Sequence, residues 1–149
     1  MYKDKRKVVN FMIGILLVTH GKFSEEILKS AELIIGKQDR ILTLGLQHGD
    51  SIEELGDKVK ESIKSLEKGR GVLVLVDLFG GSPYNVVALN SNKIGDAKIR
   101  CITGLNLPML LEAISMRESY ELDELIEHCM EGGVTGIKEL FQELNKFQK

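Results

Sequence analysis

The chain has 149 residues, with 20 Lys and Arg against 22 Asp and Glu, 2 Cys, 2 Pro and no Trp. A chain of this length forms one domain whose core needs no disulfide or metal to hold it together. A formal net charge of −2 provides no broad positive field, which argues against a dedicated nucleic-acid-binding protein. Cys101 and Cys129 lack the spacing of metal ligands, so we expect reduced thiols, no metal site and no cofactor.

The first eleven residues are rich in Lys and Arg and lead into a mostly apolar run from Val8 to Val18. That order is similar to the start of a secretory signal, but no small-residue cleavage site follows and the run is too short to span a bilayer. Cleavage would also remove the first predicted core strand. We therefore expect a flexible basic overhang at residues 1–11, a single domain at residues 12–149 and a cytoplasmic protein.

Short apolar segments alternate with amphipathic segments along the chain. The predicted strands cover residues 13–18, 41–46, 71–76 and 98–103, and the predicted helices cover 23–35, 51–66, 82–89, 108–114, 122–130 and 134–147. Such alternation is typical of right-handed crossovers between parallel strands. The sequence thus predicts a three-layer, doubly wound α/β fold with helices on both faces. Its sheet is mainly parallel, in strand order 2-1-3-4, with room for a fifth, antiparallel strand at one edge.

The chemistry is expected beyond the carboxyl ends of the strands, where ligands bind in an open parallel sheet. In the order 2-1-3-4 the connections reverse direction between strands one and three, which places His20 opposite Asp77. A carboxylate beside an imidazole fixes the ring tautomer and leaves the second nitrogen as a nucleophile. His48 and His128 fall at the sheet margin and in a helix, so we expect them to be structural surface residues.

A glycine-rich turn follows the third strand. Gly80 and Gly81, then Ser82 at the N-cap and Pro83 at the first helical position, predict a tight turn into a helix. Backbone N–H groups at a helix start, helped by a serine hydroxyl, bind an oxyanion, which suits a phosphoryl group carried on His20. The residues expected to contact that group are Thr19, Gly80, Gly81 and Ser82.

Each of these residues also has a structural alternative. A histidine at a strand end is commonly a hydrogen-bonding partner, an aspartate there caps a helix or turn, and paired glycines permit a turn with positive φ. Two enzyme classes find no support, because the chain has neither a nucleotide-binding glycine motif nor the G-x-S-x-G of a serine hydrolase. A hydrolase that uses Ser82 or His20 with Asp77 is therefore disfavoured.

Three motifs occur in family order: GILLVTHG at residues 14–21, VDLFGGSP at 76–83 and TGLNLPMLLE at 103–112. Together they resemble the EIIA domain of the mannose family in the bacterial phosphoenolpyruvate-dependent sugar phosphotransferase system, over about residues 12–138. The resemblance implies that His20 is the phosphorylated histidine, that Asp77 hydrogen-bonds it, and that Ser82 lies in the turn beside the phosphoryl group.

The same resemblance implies partners. Phospho-HPr would supply the phosphoryl group, and the EIIB component would receive it and phosphorylate sugar entering through the membrane components EIIC and EIID. Members of this type are homodimers, in at least one case with a C-terminal segment that joins the partner's sheet; the more helical pattern here argues against strand exchange. Docking of a flat partner predicts an apolar collar of Phe23, Phe79 and Leu107 around an exposed His20. A regulatory phospho-acceptor of the same fold, without flux to a sugar, is the alternative.

Overall fold

The computed structural model describes residues 12–148, so the predicted overhang at residues 1–11 lies outside the described part of the chain. Strands and helices alternate as the sequence predicts. The strands are β1 (Gly14–His20), β2 (Ile41–Leu46), β3 (Val72–Val76) and β4 (Ile99–Ile102). The helices are α1 (Phe23–Ile35), α2 (Ile52–Leu66), α3 (Ser82–Asn90), α4 (Leu107–Met116), α5 (Leu122–Thr135) and α6 (Leu140–Asn145).

The four strands form one parallel sheet in the order β2-β1-β3-β4, which confirms the predicted fold class and strand order. Within residues 12–148 no fifth strand joins it. β1 is two residues longer at its carboxyl end than predicted, because Thr19 and His20 continue the pairing with Gly45 and Leu46 of β2. Because β1 lies between β2 and β3, His20 is still part of a central strand.

Two apolar clusters cover the two faces of the sheet. Alternate residues of β1 point to opposite sides: Ile15 and Leu17 pack with α1, α4 and α5, whereas Leu16 and Val18 pack with α2 and α3. Every residue of β1 is buried except His20. A strand that is covered on both faces reads as a continuous apolar run, which explains the sequence pattern.

A buried arginine joins the amino ends of β1 and β2. Arg117, only 2% exposed, donates to the carbonyl oxygen of Asp39 at 2.7 Å and, over longer distances, to those of Ile13 and Arg40. Burial lowers the pKa of Arg117 to about 10, so the guanidinium stays charged at neutral pH. Buried polar groups need partners, and this one side chain serves three backbone carbonyls.

A carboxylate performs the complementary task at the amino ends of β3 and β4. Glu67, which follows α2, accepts backbone N–H groups from Gly69 at 2.6 Å, Gly71 at 2.9 Å and Lys98 at 3.1 Å. Burial alone would raise the pKa of Glu67, but these hydrogen bonds outweigh it and lower the pKa. Glu67 therefore links three segments of backbone in its ionised form.

The C-terminal region differs from the prediction of one helix over residues 134–147. α5 runs on to Thr135, and the chain then passes so close to Pro108 that a Cβ on Gly136 would lie 2.5 Å from the proline ring. The short helix α6 follows, and none of its residues is buried. No helix within residues 12–148 is long and apolar enough to cross a membrane.

Candidate active site

The strand order brings His20 and Asp77 into contact. His20 is the last residue of β1 and Asp77 directly follows β3, whose Val76 pairs with Val18. The imidazole Nδ1 lies 2.8 Å from Asp77 Oδ2, and the backbone N–H of His20 donates to the same oxygen at 2.9 Å. The His20 side chain is 47% exposed, whereas that of Asp77 is only 16% exposed. One oxygen atom thus orients both the backbone and the ring of His20.

The contact with Asp77 assigns different roles to the two ring nitrogens of His20. A carboxylate can only accept, so in the neutral ring the hydrogen sits on Nδ1 and the lone pair sits on Nε2. The second oxygen of Asp77, Oδ1, is buried and has no hydrogen-bond partner among residues 12–148. Nε2 is therefore the nucleophilic atom that the geometry leaves available.

The turn after β3 fits closely against the imidazole. Gly80 adopts a φ of 77°, and the backbone N–H of Gly81 donates to the carbonyl of Leu78 at 3.2 Å. Asn85 supports the turn through a 3.2 Å bond from its side-chain amide to the Gly80 carbonyl. A Cβ on Gly81 would lie 2.9 Å from Cε1 of His20 and 3.5 Å from Nε2. The ring occupies space that only a glycine leaves open.

Helix α3 begins at Ser82, one residue earlier than a Ser82 N-cap would require, so that prediction is wrong. Gly81 is the N-cap with extended backbone, and Ser82 is the first helical residue, with no side-chain capping bond. Within residues 12–148 the backbone N–H groups of Ser82 and Tyr84 have no acceptor, and Pro83 has no N–H. Two free donors and a free hydroxyl therefore lie at the positive end of the α3 dipole, next to the imidazole.

Thr19 lies on the other side of the sheet from the imidazole. Its side chain is fully buried, and its hydroxyl accepts the Ser24 N–H at 2.8 Å and donates to the His20 carbonyl at 3.2 Å. Because the hydroxyl is occupied on the α1 side, this geometry gives no support to the prediction that Thr19 contacts a phosphoryl group. The sequence reasoning also missed Ser24, whose only signal is a small polar residue in the first turn of α1.

Apolar side chains surround the exposed end of the sheet. Phe23 and Phe79 are exposed, as the collar prediction requires, and the Phe79 ring packs on Tyr84 with a centroid separation of 4.9 Å. Leu78 is exposed as well, whereas Leu107 is half-buried against the core. The rim is thus formed mainly by residues that directly follow β1 and β3.

The other two histidines lie outside this constellation. His48 is exposed in the turn after β2, at the sheet margin, and His128 is half-buried on α5 with its ring 4.2 Å from that of Tyr120. Among residues 12–148 no group of three or more His, Cys, Asp or Glu side chains is arranged to hold a metal ion.

The protein is thus of the doubly wound α/β class, with a histidine–aspartate pair at the point in the sheet where the strand connections reverse direction. The EIIA-man family model, described as the PTS system fructose IIA component, matches residues 14–130. The chain therefore belongs to the mannose-type EIIA family of the sugar phosphotransferase system.

Two relatives are about one third identical to this chain over the residues that align. The mannose-specific EIIAB component of Escherichia coli K12 is 35% identical over 129 residues, which is 86% of this chain and 39% of the relative. The fructose-specific EIIA component of Bacillus subtilis is 33% identical over 78% of this chain and 79% of the relative. The chain thus spans about two fifths of the EIIAB protein and most of the EIIA protein.

Solved structures agree with the fold. EIIA from Streptococcus agalactiae superposes with a TM-score of 0.79 and 34% identity, over 86% of this chain and 97% of that one. A mannose/sorbose-specific IIA subunit from Enterococcus faecalis gives a TM-score of 0.75 and 28% identity, over 87% of this chain and 95% of that one.

Proposed function

We propose that this protein is a phosphocarrier, which accepts a phosphoryl group from phospho-HPr on Nε2 of His20 and passes it to an EIIB component. The observation that carries the proposal is the 2.8 Å contact between His20 Nδ1 and Asp77, which leaves Nε2 as the free nitrogen at the start of α3. Membership of the EIIA family supports it, since the relatives' names describe mannose- and fructose-specific components of the same system.

The transfer step follows from that geometry. The Nε2 lone pair of His20 forms a bond to the phosphorus of the donor phosphohistidine, while the old P–N bond breaks and its electron pair returns to the donor ring. The His20 ring then carries more positive charge, which Asp77 stabilises because its carboxylate accepts a hydrogen bond from Nδ1–H. Phosphoryl transfer has a loose transition state, so in-line positioning matters more than acid or base catalysis. Transfer to EIIB repeats the step in reverse.

The turn before α3 is the proposed cradle for the phosphoryl oxygens. The free N–H groups of Ser82 and Tyr84 and the Ser82 hydroxyl are its donors, and the helix dipole adds a favourable field. The Gly81 N–H already bonds the Leu78 carbonyl, so we assign Gly80 and Gly81 mainly the role of shaping the turn. Thr19 is left out of the cradle, because its hydroxyl faces the opposite side of the sheet.

The test is labelling by phospho-HPr that carries a radioactive phosphoryl group. We expect wild-type protein and His48→Ala to be labelled equally, and His20→Ala to take up no label. Equal loss in both variants, or loss only in His48→Ala, would contradict the assignment. Addition of a cognate EIIB then asks whether the label moves on, and retention of the label on His20 would favour a regulatory phospho-acceptor over a transport component.

We also propose that the protein is a cytoplasmic homodimer that acts ahead of membrane EIIC and EIID components. The outer edge of β4 is unpaired within residues 12–148, and an apolar groove of about 390 Å³ runs beside it. The groove walls include Phe79, Tyr84, Met130 and Val134. Further along the chain, α6 exposes Leu140, Phe141 and Leu144, and an isolated helix of six residues is not stable in water.

A second copy of the chain is the occupant that we propose for this edge. Sedimentation of the full chain should give a dimer, and a variant ending at residue 136 should dissociate more readily. A full chain that sediments as a monomer at micromolar concentration would contradict the dimer.

A further inference from the structure

The residue before the proposed nucleophile belongs to a small buried hydrogen-bonding network. Thr19 Oγ1 accepts the backbone N–H of Ser24 at 2.8 Å and donates to the carbonyl of His20 at 3.2 Å. Ser24, only 1% exposed, donates its own hydroxyl to the carbonyl of Leu44 in β2 at 3.1 Å. The network ties the end of β1 to the first turn of α1 and to the neighbouring strand.

The chain makes a tight turn between Thr19 and Ser24, which both belong to this network. Gly21 has a φ of 56° and donates its N–H to the Leu46 carbonyl at 2.8 Å. A Cβ on Gly45 would lie 2.0 Å from the carbonyl oxygen of Gly21, so the two strands meet backbone to backbone at this point. The turn that follows His20 is therefore fixed by close packing and by the Thr19 hydroxyl together.

Two side chains anchor the backbone of His20 from opposite sides. Asp77 holds the N–H and the ring, and Thr19 holds the carbonyl. Because the Nδ1 contact is made by a ring attached to that backbone, a shift of the carbonyl changes the distance between Nδ1 and Oδ2. A buried hydroxyl with both its donor and its acceptor roles filled is well suited to hold such a position.

We infer that Thr19 is a positioning residue for phosphoryl transfer, which acts through the backbone of His20 and never touches the phosphoryl group. The inference rests on the proposed function of His20. The hydroxyl keeps Nδ1 of the His20 ring within hydrogen-bonding distance of Asp77. The Nε2 lone pair then stays free at the start of α3. Loss of the hydroxyl releases the turn after His20 and lets the ring sample the other tautomer, in which Nε2 carries the hydrogen and cannot attack.

The decisive comparison is between Thr19→Val and Ser24→Ala. Each removes one buried hydroxyl from the same network, but Ser24→Ala keeps the backbone N–H that bonds Thr19 and so leaves the His20 anchor in place. We expect similar losses of thermal stability in the two variants. Transfer from phospho-HPr should slow about tenfold in Thr19→Val only, and Thr19→Ser, which keeps the hydroxyl, should restore the wild-type rate.

Nitrogen NMR of the His20 ring supplies a readout that a loss of stability alone would not move. In wild-type protein and Ser24→Ala the spectrum should report the Nδ1–H tautomer, and in Thr19→Val a mixture of tautomers. A wild-type rate and tautomer in Thr19→Val, or equal slowing in both variants, would overturn the inference. If Thr19→Val does not fold, Thr19→Cys weakens the same bonds and is expected to show the same effects in smaller degree. Wild-type labelling in the same assay separates this outcome from failure of the proposed function.

Discussion

The two ends of the sheet are built from different kinds of interaction. At the amino ends of the strands, Arg117 and Glu67 each form hydrogen bonds to three or more backbone groups. At the carboxyl ends, Nε2 of His20, Asp77 Oδ1 and the first N–H groups of α3 have no partner within residues 12–148. Charged side chains thus complete backbone hydrogen bonds at one end of the sheet, whereas polar groups at the other end keep unused bonding capacity.

This contrast means that stability and transfer should respond to different substitutions. Polar groups whose bonds are all made contribute to the folded state, and their removal leaves buried partners unsatisfied. Groups with unfilled bonding capacity contribute little to the folded state, so their removal should alter transfer alone. The four predictions below test this separation, in order of decreasing expected effect.

Asp77→Asn should produce the largest change in transfer. The amide can donate a hydrogen to Nδ1, which favours the tautomer with hydrogen on Nε2 and removes the nucleophilic lone pair. We expect transfer from phospho-HPr to slow by about 1000-fold, as for a misoriented catalytic imidazole, measured by rapid-quench labelling. The free energy of unfolding in urea should fall by no more than about 1 kcal/mol, because the His20 N–H that loses its acceptor lies at an exposed position. An unaltered transfer rate would remove Asp77 from the mechanism.

Arg117→Met should produce the largest change in stability. The substitution keeps much of the side-chain volume but removes the guanidinium from the carbonyls of Ile13, Asp39 and Arg40, of which the last keeps the Ile15 N–H as a donor. We expect a loss of about 3 kcal/mol in the free energy of unfolding, measured by urea denaturation. Arg100→Met, which breaks an exposed ion pair with Asp123, is the matched control and should cost much less. Slowed transfer in folded Arg117→Met protein would contradict the expected separation between effects on stability and effects on transfer.

Gly81→Ala and Gly80→Ala change the same turn but should have different effects. The first should slow transfer, and the second should lower stability. At Gly81 φ is −72°, so an alanine is not strained there, but its Cβ would lie 2.9 Å from the His20 ring. We expect about tenfold slower transfer, because the ring must move, with unchanged stability. At Gly80 φ is 77° and the Cβ meets open space, so an alanine should cost about 1 kcal/mol of stability and leave the ring in place. The reverse assignment of the two effects would contradict this geometry.

Glu67→Gln should give the smallest effect, and one that depends on pH. The folded state lowers the pKa of Glu67 below its ordinary value of 4.5, so the ionised carboxylate stabilises the fold above that pH. We expect the wild type to exceed the variant by about 1 kcal/mol at pH 7, with the difference shrinking as the pH falls through the folded pKa. Urea titrations at several pH values measure this, and a difference that stays constant down to pH 3 would exclude the carboxylate as the cause.

Most of the strand order and the central pair could be predicted from the sequence. Apolar runs separated by amphipathic segments specify a parallel sheet, and the switch point then brings His20 to Asp77. The exact helix start could not be predicted, because Gly81 and Ser82 are both acceptable N-caps and only the backbone geometry distinguishes them. The side on which Thr19 lies depends on how far β1 extends, and the predicted strand ended one residue before it.

The interactions at the amino ends of the strands left no recognisable pattern. Arg117 and Glu67 are charged residues near helix ends, where exposed side chains are common, and their partners are backbone groups that no sequence motif marks. Residues 134–147 were also ambiguous, since a helical period continues across Gly136 although the chain bends there against Pro108. Local periodicity carries no information about such approaches between distant segments.

The position of His20 on a central strand has a consequence for how the protein loses activity. β1 is flanked by β2 and β3 and buried along the rest of its length, so it belongs to the part of the molecule that opens last. Partial opening of α6, or of the outer strand β4, would leave the His20 imidazole in contact with the Asp77 carboxylate. Inactivation by heat should therefore be all-or-none and should coincide with global unfolding.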